Sequence, residues 1–203
     1  MTNFIDLNIL NFFVSISNKG FHILDNIMIL FTVLGDDGYI FIATSIILLI
    51  FKKTRSLGIL LAISLLLTLA VSSITKHEVH RVRPYEVFTN IKLLVDKPSS
   101  SSFPSGHSSA AFAAFGVFLF TKNKYRYFVF VISFFILFSR LYLNVHFFSD
   151  VVAGGLIGLF ISWTIVKIYD KISKKKIKVV GLSTLFRTIF IRSFFIFYRC
   201  FII

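Results

Sequence analysis

The sequence predicts an all-α polytopic membrane protein, in which an N-terminal interfacial helix precedes a six-helix transmembrane bundle. Of its 203 residues, 56% are hydrophobic and the mean hydropathy is +0.84, which is too apolar for a soluble domain. Apolar runs of helical length alternate with polar breaks, and basic residues cluster at the ends of these runs. A single cysteine, Cys200, excludes an internal disulfide bond.

The first apolar segment, residues 4–17, is interrupted by Asp6, Asn8 and Asn11. Helical spacing makes this segment amphipathic, and it is shorter than the roughly 20 residues that a straight span needs. We therefore predict an interfacial amphipathic helix within residues 1–18.

Two short apolar runs follow, residues 21–34 and 39–51, separated by the breaker Gly35-Asp36-Asp37-Gly38. Each run is shorter than the roughly 20 residues of a straight transmembrane helix. They fit either two short spans or one bent hairpin.

Four further spans are predicted in the rest of the chain. Their apolar runs are residues 56–75, 106–121, 127–142 and 147–169. A polar stretch, residues 76–105, separates the first of these runs from the second and is predicted to be the main extramembrane loop. Together with the two earlier runs, these spans form a six-span domain over residues 19–170.

The net charge of +13 indicates membrane orientation rather than nucleic-acid binding, because the cations lie at particular ends of the predicted spans. The positive-inside rule places these ends in the cytoplasm, together with both chain termini. The opposite ends, which carry three polar clusters, then face outward. The cations are Lys52, Lys53, Arg55, Lys122, Lys124, Arg126, Lys167, Lys171, Lys174, Lys175, Lys176 and Lys178.

Residues 171–203 are predicted to form a basic tail, either cytoplasmic or lying on the membrane surface. Its last part, residues 181–203, is apolar but contains Arg187, Arg192 and Arg199. A seventh span would bury these arginines in hydrocarbon, so a surface-lying segment is favoured.

Three polar clusters lie where apolar runs begin or end, and everything around them is apolar. They comprise residues 76–84, 104–107 and 139–150. Charged groups near a bilayer are costly and are usually functional. The clusters contribute cations and histidines, so together they predict one composite site for an anion.

The second cluster, Pro104-Ser105-Gly106-His107, is typical of a helix start. The first four N–H groups of a helix lack intrahelical partners and attract anions, and His107 lies in that first turn. The alternative is an ordinary helix start with a tolerated interfacial histidine.

In the third cluster, His146 and Asp150 are four residues apart, so they share one face if both lie on a helix. The carboxylate can then orient the imidazole and leave its other nitrogen free as a nucleophile. Arg140 ends the preceding span. The alternative is an interfacial His–Asp pair beside a snorkelling arginine.

The first cluster contains Lys76 and Arg83, which flank a short polar segment. One alternative is a solvated basic loop. Another is a metal pair formed by His77 and His80, but the sequence offers no obvious third ligand, so no metal site is predicted.

Small residues predict close packing between the spans that follow His107 and His146. The stripes are Ser108, Ala110, Ala111, Ala113, Ala114 and Gly116 in one span, and Gly154, Gly155 and Gly158 in the other. Small faces let membrane helices approach closely, which would bring the two histidines together.

The three clusters together resemble the signature of the type-2 phosphatidic acid phosphatase superfamily, which contains membrane lipid phosphatases, diphosphatases and soluble vanadium haloperoxidases. The matching pattern is Lys76-x6-Arg83-Pro84, Pro104-Ser105-Gly106-His107 and Ser139-Arg140-x5-His146-x3-Asp150. Every signature position is present. The chain length and the Leu24-Asp25…Gly35-Asp36 opening are similar to small bacterial members.

The resemblance implies a role for each residue. His146 would be the nucleophile that forms a phosphohistidine, Asp150 would orient it, and His107 would protonate the leaving oxygen and then activate water. Phosphate would be held by Lys76, Arg83, Ser105, Gly106 and Arg140, with Pro84, Pro104 and Ser139 in supporting positions. No metal or other cofactor is implied.

The resemblance also implies a substrate class: a lipid phosphate or diphosphate, reached from the outer face of a bacterial cell membrane. Undecaprenyl diphosphate is favoured, with phosphatidylglycerophosphate, phosphatidate and lipid A phosphates as alternatives. A non-enzymatic anion or lipid-phosphate transporter would use the same cations but would not need the histidines. Haloperoxidase activity is disfavoured by the hydrophobicity. Oligomeric state stays open.

Overall fold

The computed structural model describes residues 3–88, 91 and 93–174, and the regular structure in this part of the chain is helical. The predicted placement of residues 181–203 lies outside the described residues. The helices are α1 (Phe4–Ser17), α2 (His22–Gly35), α3 (Tyr39–Ile50), α4 (Arg55–Val79), α5 (Pro84–Val87), α6 (Gly106–Phe120), α7 (Arg126–Tyr142) and α8 (Phe148–Lys174).

The predicted all-helical membrane architecture is confirmed. Three helical segments are long and apolar enough to cross a membrane: His22–Ile50, Arg55–Val87 and Phe148–Ser173. The predicted breaker is also present, because a 3₁₀ turn at Asp36–Gly38 separates α2 from α3. Asp37 adopts φ 45° there, a left-handed conformation that Asp and Asn tolerate better than most residues.

The face of α1 that packs against the rest of the protein carries both polar and apolar residues. Its buried residues are Asp6, Leu10, Phe13 and Ser17, whereas Phe4 is 78% exposed. In the sequence, Asp6 is one of three polar residues that interrupt this apolar segment. The structure buries its carboxylate, which has hydrogen-bond partners inside the protein.

The main apolar core lies between α3, α4, α6 and α7, with Val166 of α8 also buried in it. Its fully buried side chains include Leu61 on α4, Val117 on α6 and Ile136 on α7. Helix α2 packs along α7 instead, where Phe31 stacks on Phe135 with ring centroids 4.8 Å apart. The two helices that flank the 3₁₀ turn therefore have different neighbours.

Helices α6 and α8 are in backbone contact, as the small-residue stripes predicted. A Cβ added at Gly158 would lie 2.3 Å from the Ser109 carbonyl oxygen, and one at Gly154 would lie 2.5 Å from the Ser105 carbonyl oxygen. Ser162 Oγ also donates a 2.7 Å hydrogen bond to the carbonyl of Ala113. Only glycine allows this approach.

Four helix ends meet on one side of this packing: the C-termini of α4 and α7 and the N-termini of α6 and α8. Lys76 Nζ donates to the Ser101 carbonyl at 2.5 Å, and Ser105 N donates to the Asp150 carbonyl at 3.0 Å. The loop before α6 thus folds back onto the ends of α4 and α8. We call this side the site end.

Candidate active site

A cavity of about 780 Å³ opens at the site end. It brings together side chains from all three polar clusters, although they are spread over some 70 positions of sequence. Its polar lining includes Lys76, Arg83, Gly106, His107, Arg140 and His146. The predicted convergence of the clusters is therefore present in the structure.

His146 lies in the short connection between α7 and α8 and is 3% exposed. Its Nε2 is 3.4 Å from Nη1 of Arg83, a group that can only donate a hydrogen bond. Nε2 must therefore present its lone pair, and the proton of the neutral ring sits on Nδ1. This tautomer leaves Nε2 with the lone pair that a nucleophile needs.

Burial lowers the pKa of His146 well below its usual value, and the neighbouring positive charges of Arg83, Arg140 and Lys76 lower it further. The imidazole is therefore neutral at physiological pH. A neutral ring is the form that can attack phosphorus, so the surroundings keep the predicted nucleophile in the form that this role would need.

The predicted hydrogen bond between His146 and Asp150 is not formed directly. Nδ1 is 3.7 Å from Asp150 Oδ2, because α8 begins only at Phe148 and His146 precedes its first turn. Ser102 connects the pair: its Oγ donates to Asp150 Oδ2 at 2.6 Å and lies 3.5 Å from Nδ1. The serine run at 99–102 was predicted only as loop.

Two of the three predicted phosphate-binding cations, Arg83 and Arg140, have different surroundings. Arg83 is held by the carbonyls of Ser100 at 2.8 Å and Val145 at 2.9 Å. Arg140 donates from Nη1 to Thr32, while its buried Nε lacks a partner among the described residues. A buried donor without a partner is costly, so an anion in the cavity would stabilise this guanidinium.

Ser105 and Gly106, at the start of α6, have different surroundings. Ser105 is fully buried and caps α6, with its Oγ 3.4 Å from the Ser108 amide. Gly106 lines the cavity, and a Cβ added there would meet nothing within 4 Å. The start of α6 at Gly106 therefore borders the cavity, where the free N–H groups of a helix N-terminus favour an anion.

The supporting residues of the signature stabilise the local backbone. Pro84 occupies the first turn of α5, where a missing N–H does no harm. Pro104 precedes the capping serine of α6. Ser139 is fully buried and donates to the Ile136 carbonyl at 2.7 Å, within the last turns of α7.

His107, in the first turn of α6, has a partner that the sequence did not predict. Its Nε2 lies 2.8 Å from Oδ1 of Asp36, in the 3₁₀ turn between α2 and α3. The breaker was recognised as a turn only, because nothing in the sequence links it to a residue 71 positions later.

Comparison with known proteins identifies the family of this site. Residues 57–174 match the PAP2 superfamily, which is more than half of the chain. The chain belongs to the PAP2 superfamily. It is 33% identical over 156 residues to an undecaprenyl-diphosphatase of Sulfolobus acidocaldarius, covering 76% of this chain and 75% of that protein.

Two solved structures are similar to this chain. One is the transmembrane PAP2-type phosphatidylglycerolphosphate phosphatase from Bacillus subtilis, with TM-score 0.65, 28% identity and coverage of 86% of this chain and 87% of that one. The other is Aquifex aeolicus LpxE, with TM-score 0.68, 29% identity and coverage of 78% and 94%. The chain is a membrane phosphatase of the PAP2 superfamily.

This PAP2 site has an outer layer that reaches the N-terminal helix. Arg81 donates from Nη1 to Asp150 at 2.5 Å and from Nη2 to Asp6 at 2.7 Å. Asp6 also accepts from the Ser149 amide at 2.8 Å. Asp6, Arg81 and Ser149 were not predicted as site residues, and the only signal was a carboxylate inside an apolar segment.

Asp6 is an anion in this network. Burial alone would raise its pKa, but hydrogen bonds from Ser149 and Arg81 outweigh that effect and hold the pKa below its ordinary value. The Asp6 carboxylate therefore stays charged at neutral pH and can pair with Arg81. The same arginine also contacts Asp150, the carboxylate next to His146.

Proposed function

We propose that this PAP2 phosphatase hydrolyses a lipid phosphate or diphosphate through a phosphohistidine on His146. The observation that carries the proposal is Nε2 of a buried, neutral His146 facing Arg83 inside a cavity with two further cations. Such a set holds a phosphoryl group and places a nucleophile beside it.

In the first step, the Nε2 lone pair of His146 attacks phosphorus and the bond from phosphorus to the leaving oxygen breaks. His107 gives its proton to that oxygen. Lys76, Arg83, Arg140 and the amide of Gly106 bind the phosphoryl oxygens, on which negative charge must be stabilised. Asp150, acting with Ser102, stabilises the positive charge that develops on His146.

In the second step, water replaces the leaving group. His107, now neutral, takes a proton from the water as its oxygen attacks phosphorus. The bond between phosphorus and nitrogen breaks, and the electron pair returns to Nε2 of His146. The protein's own cations supply charge stabilisation throughout, and we propose that hydrolysis needs no metal ion.

Among lipids, we propose undecaprenyl diphosphate as the first candidate substrate. Support comes from the similarity to an undecaprenyl-diphosphatase over three quarters of both chains. Phosphatidylglycerophosphate, phosphatidate and lipid A phosphates are the alternatives, since the similar structures include a phosphatidylglycerolphosphate phosphatase. Apolar walls beside the cations, from Leu69, Leu93 and Leu94, suit a lipid rather than a soluble phosphate.

A substrate panel tests this proposal. The purified protein in detergent should release phosphate from undecaprenyl diphosphate faster than from phosphatidylglycerophosphate, phosphatidate or a lipid A phosphate. Activity should stay within about twofold after EDTA treatment, because arginines and a helix N-terminus stabilise the charge. Release that disappears with EDTA and returns with Mg²⁺ would contradict the metal-independent mechanism.

The N-terminal contacts bear on the number of membrane crossings. Six crossings with both termini in the cytoplasm require α2 to start on the face opposite the site. Yet Asp6 contacts Ser149, Ser17 accepts from Asn144 Nδ2 at 3.0 Å, and Asp25 accepts from Tyr142 at 2.6 Å. These partners all belong to the site end.

We therefore propose that His22–Ile50 crosses once, as a helix interrupted at the 3₁₀ turn, and that the protein has five crossings. Helix α1 then lies at the membrane surface on the site face, and the N-terminus is extracytoplasmic. The site face is outward because Lys52, Lys53 and Lys122 lie at the opposite helix ends.

Cysteine accessibility distinguishes the two topologies. In a Cys200→Ser background, Lys19→Cys should react with a membrane-impermeant maleimide in intact cells. Lys97→Cys in the site-end loop should react equally, whereas Lys122→Cys between α6 and α7 should react only after permeabilisation. A Lys19→Cys variant that behaves like Lys122→Cys would restore the six-span topology.

A further inference from the structure

A second histidine–carboxylate pair lines the same cavity as His146. Nε2 of His107 and Oδ1 of Asp36 are 2.8 Å apart, a normal hydrogen-bond distance. The turn that carries Asp36 is packed against the imidazole: a Cβ added at Gly35 would lie 3.0 Å from Cδ2 of His107 and 2.7 Å from Cγ2 of Ile136. The hydrogen bond and the close packing of Gly35 against the ring together hold the carboxylate in place.

The hydrogen bond determines which nitrogen of His107 reacts. An ionised carboxylate can only accept, so Nε2 of His107 must carry a hydrogen in both the neutral and the protonated ring. The other nitrogen, Nδ1, is then the atom that gains and loses a proton. The same logic applied to His146 selects the opposite nitrogen, because Arg83 faces its Nε2.

We propose that Asp36 is a positioning residue, which holds His107 through Nε2–H and makes Nδ1 the proton-transferring atom. The inference rests on the proposed function and names a residue outside the three-part signature. When the bond from phosphorus to oxygen breaks, the proton on Nδ1 moves to the leaving oxygen. In the second step, Nδ1 takes a proton from the attacking water.

The two pairs differ in their surroundings, which makes Asp36 suitable for substitution. Asp150 is fully buried and has three hydrogen-bond donors, so its removal would disturb folding. The side chain of Asp36 is 52% exposed and makes one side-chain hydrogen bond among those described, to His107, which is 17% exposed. Its removal therefore disturbs fewer contacts than removal of Asp150. We therefore expect Asp36→Ala and Asp36→Asn to fold.

The test compares leaving groups. Single-turnover phosphorylation is measured with p-nitrophenyl phosphate, whose leaving oxygen needs little protonation, and with phosphatidate, whose alkoxide needs full protonation. Asp36→Ala should slow the phosphatidate reaction by about 10–100-fold, a part of what a general acid contributes. The nitrophenyl reaction should change by less than about threefold, because it depends little on acid catalysis.

The conservative variant provides a second readout. In Asp36→Asn the amide oxygen can still accept from Nε2–H, so this variant should recover part of the phosphatidate rate. Asp37→Asn is the matched control, because it removes an adjacent carboxylate that makes no hydrogen bond to His107 among the described contacts. Its left-handed φ also suits asparagine. This control should keep the wild-type ratio of the two rates.

Equal losses on both substrates would show a structural role only and would overturn the proposal, as would no loss on either. Failure of the proposed function is recognised separately. In that case the wild-type protein itself would form no phosphohistidine, whatever the behaviour of the Asp36 variants.

Discussion

His146→Gln is expected to lower phosphate release by about 10⁴-fold or more, because it removes the atom proposed to bond to phosphorus. Glutamine keeps a polar group of similar length beside Ser102 and Arg83, so the fold should persist. The measurement is phosphate release from undecaprenyl diphosphate, together with trapping of the acid-labile phosphoenzyme, which should be absent in this variant.

The acid side of the pH profile gives the same experiment a second readout. A free imidazole is about three quarters protonated at pH 6. Burial and three nearby cations hold the pKa of His146 far lower, so its Nε2 stays unprotonated there. The wild-type protein should therefore still form phosphoenzyme at pH 6. The pH profile of phosphoenzyme formation should show no decrease centred near pH 6.5 that is due to His146.

The control for His146→Gln is His22→Gln, which changes an exposed histidine at the start of α2. It should leave release unchanged. Binding of the lipid to His146→Gln should survive, since the cations remain. Undiminished release by His146→Gln would contradict the nucleophile assignment, and binding without any wild-type release would favour the transporter alternative.

Gly158→Ala is expected to have the second large effect, on both stability and activity. The added methyl would lie 2.3 Å from the Ser109 carbonyl oxygen and 2.6 Å from the Ala113 amide nitrogen. Both are helix backbone atoms, so α6 and α8 must separate. Overpacking of this kind costs about 1–3 kcal/mol, and a shift of about 1 Å in a catalytic group can reduce activity about 10²-fold.

Gly155→Ala is the matched control on the same helix. Its added methyl would be 3.5 Å from the Phe112 ring, an ordinary contact, so stability and activity should stay near wild type. Thermal unfolding in detergent and phosphate release measure the two effects. If Gly158→Ala is as stable and active as Gly155→Ala, close contact between α6 and α8 does not position the site.

The positions of the helices were predictable because the start and end of a helix depend on residues that are close together in the sequence. Apolar periodicity and breakers located α2, α3, α4 and α6–α8 to within a few positions. The small-residue stripes also predicted the contact of α6 with α8, because small side chains let membrane helices approach closely. The three polar clusters at the ends of apolar runs predicted one shared site, because side chains at adjoining helix ends come together.

The predicted direct contact between His146 and Asp150 is not formed. The spacing of four residues suggested one helical face, but α8 begins after His146, and the nearest atoms are 3.7 Å apart. Ser102 enters that gap from a loop 44 positions earlier. The spacing of residues within one segment cannot predict a contact with a residue from a distant segment.

What the sequence by itself determined is the family and the fold class: an all-helical membrane protein, whose cations and two histidines predict a phosphate site. Only the tertiary structure decided which nitrogen each histidine presents, because Arg83 faces one ring and Asp36 the other. It also placed Asp6 against Arg81 across 75 positions. Tautomers and buried ion pairs depend on distances between segments, and only the packing of helices sets those distances.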